Sequence, residues 1–261
     1  MFNPRAHDTA RPHRGRLYAA GGAALVAGAL GLGLLLLNDA MVRATPDGLE
    51  RNEPLLRAAA AEGWPVYATR CAGCHGLDLQ GRQAVGAPDL RDRSWLYGTG
   101  RIAEIERTIV YGVRSGHPRS RNLASMPAYA TATPYDRERL SPLTPDQIRD
   151  VVAYLRRLQQ RPVDPLAARR GEAIYQGAGG CYDCHTPDAR GDAYIGAPGL
   201  TARSGWLYGD GSPEALFASI ARGRAGVCPA WIDRLSFANI RALAALLFVR
   251  SRPSSTAERR R

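Results

Sequence analysis

Lysine is absent from the sequence, and all 35 basic side chains are arginines. A replacement this uniform points to a GC-rich genome rather than to chemistry. The 24 acidic residues leave a formal charge of +11, a surface suited to an acidic partner or anionic lipid. Aromatic residues are not interleaved with that charge and no nucleic-acid motif accompanies it, which excludes nucleic acid as a partner. Methionine is scarce: Met1, Met41 and Met126 are the whole supply. Cysteine numbers five, and four of these fall in two short motifs. Cys228 is left over, which full pairing into disulfides does not account for.

The motifs are Cys71-Ala72-Gly73-Cys74-His75 and Cys181-Tyr182-Asp183-Cys184-His185. Two cysteines spaced by two residues, with a histidine directly after, form the attachment signature of c-type haem. The thiols become thioethers to the porphyrin and the histidine an axial ligand of the iron. Redox dithiols and half zinc sites share the cysteine spacing but lack the histidine, and here it recurs in the same place. The expectation is two covalently bound haem c groups, attached at Cys71, Cys74, Cys181 and Cys184, with His75 and His185 on the irons.

Residues 1–16 form a basic tail containing Arg5, Arg11, Arg14 and Arg16, and residues 17–38 carry no charge. About twenty apolar residues suffice to cross a bilayer as a helix. Arginines before the run and Asp39 after it orient the tail to the cytoplasm. This predicts a single-pass anchor in a bacterial inner membrane with everything after it in the periplasm, where c-type haem is attached. The competing expectation is a cleaved signal peptide, with Val42-Arg43-Ala44 as the cleavage region. Residues 39–62 read as a linker that turns helical near 55–62, and Pro65 as the start of a short helix ending at Arg70. Thr144-Pro145-Asp146-Gln147 reads as a capping box opening a helix over 145–160. Residues 161–164 are a linker, Asp164-Pro165 caps the next helix, and residues 253–261 read as a disordered tail.

An internal repeat runs through residues 63–160 and 165–252. Gly86-Ala87-Pro88-Asp89-Leu90 matches Gly196-Ala197-Pro198-Gly199-Leu200, and Trp95-Leu96-Tyr97-Gly98 matches Trp206-Leu207-Tyr208-Gly209. Two copies of one all-α haem domain follow from this. Met126-Pro127-Ala128-Tyr129 aligns with Cys228-Pro229-Ala230-Trp231. Met126 is thus the candidate sixth ligand in the first copy, and Cys228 occupies that position in the second. Arg222 and Arg224 nearby would favour a thiolate. An inert buried thiol and a cysteine pairing between molecules are the other readings. Thiolate ligation predicts a lower potential at the second haem than at the first. His117 lies in an insertion that the second copy lacks and reads as a solvated loop residue.

These motifs, from about Gly63 to Ser251 behind an N-terminal anchor, resemble the dihaem subunit III of cbb-type cytochrome c oxidases. The resemblance implies tandem class I cytochrome c domains after one transmembrane helix. It also implies a relay of electrons from periplasmic or quinol-side donors to a terminal oxidase or similar acceptor, with no substrate chemistry of its own. Carried over by position, Cys71, Cys74, His75 and Met126 serve one haem and Cys181, Cys184 and His185 the other. In one feature, a cysteine placed as an iron ligand, the chain is similar to thiosulfate dehydrogenases and related sulfur-oxidising dihaem cytochromes. That gives a second expectation, an enzyme working at Cys228. A free-standing membrane-bound carrier is a third.

Overall fold

The structure, a computed structural model, describes residues 14–131, 142–202 and 205–252, with side chains from residue 27 onward. The helices are α1 (Arg14–Arg43), α2 (Pro46–Arg51), α3 (Glu53–Arg70), α4 (Ala72–His75), α5 (Ile102–Tyr111), α6 (Pro145–Leu158), α7 (Pro165–Gln176), α8 (Tyr182–His185), α9 (Pro213–Arg222) and α10 (Phe237–Arg250). Extended pairing among the described residues is confined to isolated bridges. The fold is helical, as expected.

Side chains that satisfy first-turn N–H groups set the helix starts. On α6 the capping box forms: the Gln147 N–H donates to the Thr144 hydroxyl at 3.2 Å, and the Thr144 N–H to the Gln147 amide oxygen at 2.8 Å. Asp164 accepts from the Leu166 N–H ahead of α7. Ser212 and Ser236 cap α9 and α10 in the same way. The expected break before Pro65 does not occur, because α3 runs unbroken with that proline inside it. An interior proline costs about 3 kcal/mol. Burial of Leu56, Ala59, Ala60 and Tyr67 along one face outweighs that cost, since each large apolar side chain returns about 1.5–3 kcal/mol.

The packed units are not the sequence copies. One core joins Leu56 and Tyr67 of α3 and Ile102 and Ile105 of α5 to residues 242–248 of α10. The other joins Ile148, Val151 and Leu155 of α6 to Tyr175 of α7 and Leu216 and Ile220 of α9. Each copy therefore lends its last helix to the other. Both helix crossings are made at glycine. A side chain on Gly63 would run into the Ala242 carbonyl of α10, and one on Gly171 into the Asp150 carbonyl of α6. The second unit is continuous in sequence, and the first is interrupted by it. The two closing helices are buried differently: α6 buries Ile148, Val151, Val152, Tyr154 and Leu155, whereas α10 buries every residue from Ile240 to Phe248.

Arg241 is 3% exposed where α1, α5 and α10 meet. Its guanidinium pairs with Glu106 and donates to the carbonyls of Met41 and Ala44 at the end of α1. Burial raises the Glu106 carboxyl against the pull of that guanidinium. Arg241→Met strands a buried acid, a loss of about 3–5 kcal/mol. Without the guanidinium, the folded-state pKa of Glu106 rises further above its unfolded value. The acid's contribution is then fully present below the unfolded pKa and lost as pH rises through the folded one. Urea denaturation of the holoprotein is expected to show the stability gap between Arg241→Met and the parent widening from acid to mildly alkaline pH. A gap independent of pH would contradict this.

The uncharged stretch 17–38 lies within α1, but side chains up to residue 26, the backbone of residues 1–13 and the tail 253–261 lie outside the description. Among the described residues no helix is long and apolar enough to cross a membrane. Leu30, Leu32, Leu34, Leu35 and Leu36 of α1 are exposed, whereas Met41 at its end is buried.

Candidate haem-attachment sites

Each motif is a single helical turn, α4 or α8. Residues three and four apart on a helix share a face, so Cys71, Cys74 and His75 point to one side, as do Cys181, Cys184 and His185. The turns close through the His75 N–H on the Cys71 carbonyl at 3.0 Å and the His185 N–H on the Cys181 carbonyl at 2.9 Å. A buried tyrosine pins each exit. The Tyr67 hydroxyl donates to the Gly76 carbonyl at 2.6 Å, and that of Tyr175 to the Thr186 carbonyl at 2.7 Å.

The two histidines are oriented identically. Nδ1 of His75 lies 3.1 Å from the Pro88 carbonyl, and Nδ1 of His185 lies 2.9 Å from the Pro198 carbonyl. A carbonyl only accepts, so Nδ1 carries the hydrogen and Nε2 keeps its lone pair for a metal. Burial lowers the pKa of both rings and keeps them in the neutral, ligating form. This is what the repeated Gly-Ala-Pro motif does. Its role was not read from the sequence, although the proline follows the histidine by 13 residues in both copies.

The two distal segments cross over. Met126 packs against the core that contains Tyr129, Tyr175 and Ala189, as Cys181 does, in the unit of the second motif and not the first. Its segment docks on α9, the Tyr129 N–H donating to the Ile220 carbonyl at 3.1 Å. The segment of Cys228 docks on α5, with the Trp231 N–H on the Ile109 carbonyl at 3.1 Å. Cys228 lies beside the first motif. Burial pushes the unmodified Cys71 thiol up to about 11, and charge on Cys228 is the next contribution. The Cys228 thiol is likewise pushed up to about 11, by burial first and then by Cys74. The helix exchange thus places Met126 in the unit of Cys181–His185 and Cys228 beside Cys71–His75, the reverse of their order along the sequence.

The arginines expected to favour a Cys228 thiolate do not face it. Arg222 is exposed, and Arg224 bonds Ser219 and stacks over Tyr208 at 4.5 Å. His117 stacks on Tyr111 at 4.9 Å, and its Nδ1 accepts the Arg119 N–H at 3.0 Å.

The distal segments are paired to each other's neighbourhoods by reciprocal hydrogen bonds. Val113 and Cys228 exchange N–H donors at 2.9 and 3.0 Å, as do Met126 and Arg224. The Trp-Leu-Tyr-Gly repeats cross as well. A side chain on Gly86 would overlap the Tyr208 ring, and one on Gly196 the Tyr97 ring. Each tyrosine thus fills space that a glycine of the other copy leaves open, and the Gly98 N–H donates to the Ala193 carbonyl at 3.0 Å.

Whether these residues suit a haem is tested by Trp206. Its indole Nε1 is buried and has no protein partner among the described residues. An indole N–H only donates, so it awaits an acceptor, and the propionate carboxylates of a haem are such acceptors. Two thiols, one Nε2 with its tautomer fixed and an unmatched donor fit the group.

The comparisons agree. Residues 60–159 match the family described as Cytochrome c, and residues 166–247 match the one described as Cytochrome C oxidase, cbb3-type, subunit III. The Cbb3-type cytochrome c oxidase subunit FixP of Bradyrhizobium sp. (strain ORS 278) is 39% identical over 207 residues, which is 78% of this chain and 66% of the relative. The CcoP subunit of Azospirillum brasilense is 36% identical over 209 residues, 78% and 66% of the two chains. The CcoP subunit of Rhodobacter capsulatus is 35% identical over 216 residues, 80% and 68%. The chain spans a little under two thirds of the FixP length. Cytochrome c domains hold covalently bound haem c, and the chain belongs to the family of cbb3-type cytochrome c oxidase subunit III.

Proposed function

We propose that this chain carries two haem c groups and relays electrons from a periplasmic or quinol-side donor to a terminal oxidase of the cbb3 type. Cys71, Cys74, His75 and Cys228 would hold one haem, and Cys181, Cys184, His185 and Met126 the other. Haem iron supplies one-electron oxidation and reduction at each site. The chain's part would be to hold each group through its two thiols, its histidine and its distal side chain, and to keep the two sites together. The observation that carries this reading is the reciprocal backbone pairing of the two distal segments, which ties both sites into one structure. Membrane attachment through α1 is supported by its exposed leucines and by the arginine-rich residues before the uncharged stretch.

The sulfur-oxidising and free-standing carrier readings gain no support from the relatives, whose printed names are oxidase subunits. The test is to express the full chain with the other subunits of a cbb3-type oxidase. Two haem c per chain, co-purification from membranes and donor-dependent oxygen uptake that falls at least tenfold with His75→Ala are expected. One haem per chain, or oxygen uptake indifferent to both axial histidines, would overturn the relay.

A further inference from the structure

Fourteen residues lead from Gly112 to Met126 in the first copy, but five lead from Gly223 to Cys228 in the second. The longer path holds Arg114, whose backbone sits in the left-handed region at φ +46. Non-glycine residues enter that region at a cost. Here the Arg114 N–H is tied to the Arg121 carbonyl at 3.0 Å. Its half-buried guanidinium then makes two bonds to different segments: Nε donates to the Gly226 carbonyl at 2.7 Å and Nη1 to the Ala124 carbonyl at 2.8 Å. Ala124 stands two residues before Met126 and Gly226 two residues before Cys228.

We propose that Arg114 is a positioning residue shared by the two haem sites, one guanidinium fixing both distal segments so that ligation at the two irons is set jointly. The inference rests on reading Met126 and Cys228 as axial ligands. The backbone pairs Val113–Cys228 and Met126–Arg224 hold the ligand residues themselves, and Arg114 holds the chain just ahead of each. Together they would fix the backbone from which each side chain would reach its iron. A guanidinium suits this because its donors sit in a rigid planar fork, and bonds from a charged donor exceed neutral ones in strength. A lysine ammonium on a flexible stem cannot reproduce the fork. Both carbonyls would otherwise need water.

The experiment compares Arg114→Gly and Arg114→Lys in the full-length holoprotein. Glycine suits φ +46, so the fork is lost without added backbone strain, whereas lysine keeps the charge and loses the fork. Electron paramagnetic resonance of the oxidised protein reads each low-spin haem, and the thioether-to-iron charge-transfer band reads Met126 separately. Both haem signals are expected to shift in Arg114→Gly, with lysine restoring neither and haem content unchanged. A shift at one haem alone, no shift, or full rescue by lysine would overturn the inference. Should Arg114→Gly fail to accumulate, Arg114→Gln carries the test: its shorter, single amide nitrogen cannot span both carbonyls and must alter at least one haem signal, and unaltered signals refute the proposal. The parent spectrum tests the ligand reading by itself: absence of thioether and thiolate signatures sinks that reading, while normal parent signals with unchanged variants sink only the role of Arg114.

Discussion

Replacing Cys228 with methionine is expected to raise the potential of the haem at Cys71, Cys74 and His75 and to leave the haem at Cys181, Cys184 and His185 where it was. A thiolate stabilises ferric iron more than a thioether does, and axial ligands spread haem potentials over about 0.8 V. A ligand exchange is therefore expected to move the affected haem on the order of 0.1 V or more. Met126→Ala should act on the other haem alone, removing its thioether band and lowering its potential. Redox titration with the two haems resolved spectroscopically checks both. The outcome that sinks the crossed assignment is a Cys228→Met shift at the Cys181–His185 haem, because that is where a simple in-sequence pairing places it. The expectation from sequence put the low potential at the second haem, so titration separates the two arrangements by which haem moves.

Much of the site was legible in the sequence for local reasons. Spacings of three and four put both thiols and the histidine on one helical face, and capping by Thr144 and Asp164 acts within a few residues. The choice of partner was not legible. Residues 237–250 and 145–158 occupy matching places in the two copies, and sequence position does not decide which covers α3 and which α7. The paths from Gly112 and Gly223 go with the exchange, backbone bonds of Val113 with Cys228 and Met126 with Arg224 joining each distal segment to the other copy. Orientation of the histidines was hidden for another reason. The donor's partner is a main-chain carbonyl at Pro88 or Pro198, and side-chain identity does not announce it. The unbroken α3 was missed because tertiary burial outweighed a local proline signal.

The helix crossings supply the sharpest test of the exchange. In a helix interior, Gly→Ala ordinarily stabilises by about 0.5–1 kcal/mol. At Gly63 and Gly171 the sign is expected to reverse. The added methyl would meet main-chain atoms, the Ala242 carbonyl in one case and the Asp150 carbonyl with the Val151 nitrogen in the other. Main-chain atoms have no rotamer by which to move aside, so the helices must separate, at about 1–3 kcal/mol or more. Separation of α6 and α7 also loosens Tyr154 against Tyr175 and the Arg170–Asp150 ion pair. For units of this size the holoprotein Tm is expected to fall by roughly 5–15 °C. Double substitutions then identify which helix α3 faces. A methyl on Gly63 would also press on the Leu246 side chain of α10. Gly63→Ala should therefore couple with Leu246→Ala, whereas with Val152→Ala on α6 the effects should add, as they do for residues that share no contact. Coupling to Val152 and additivity with Leu246 would return α3 to the helix of its own copy and undo the crossed ligand assignment with it.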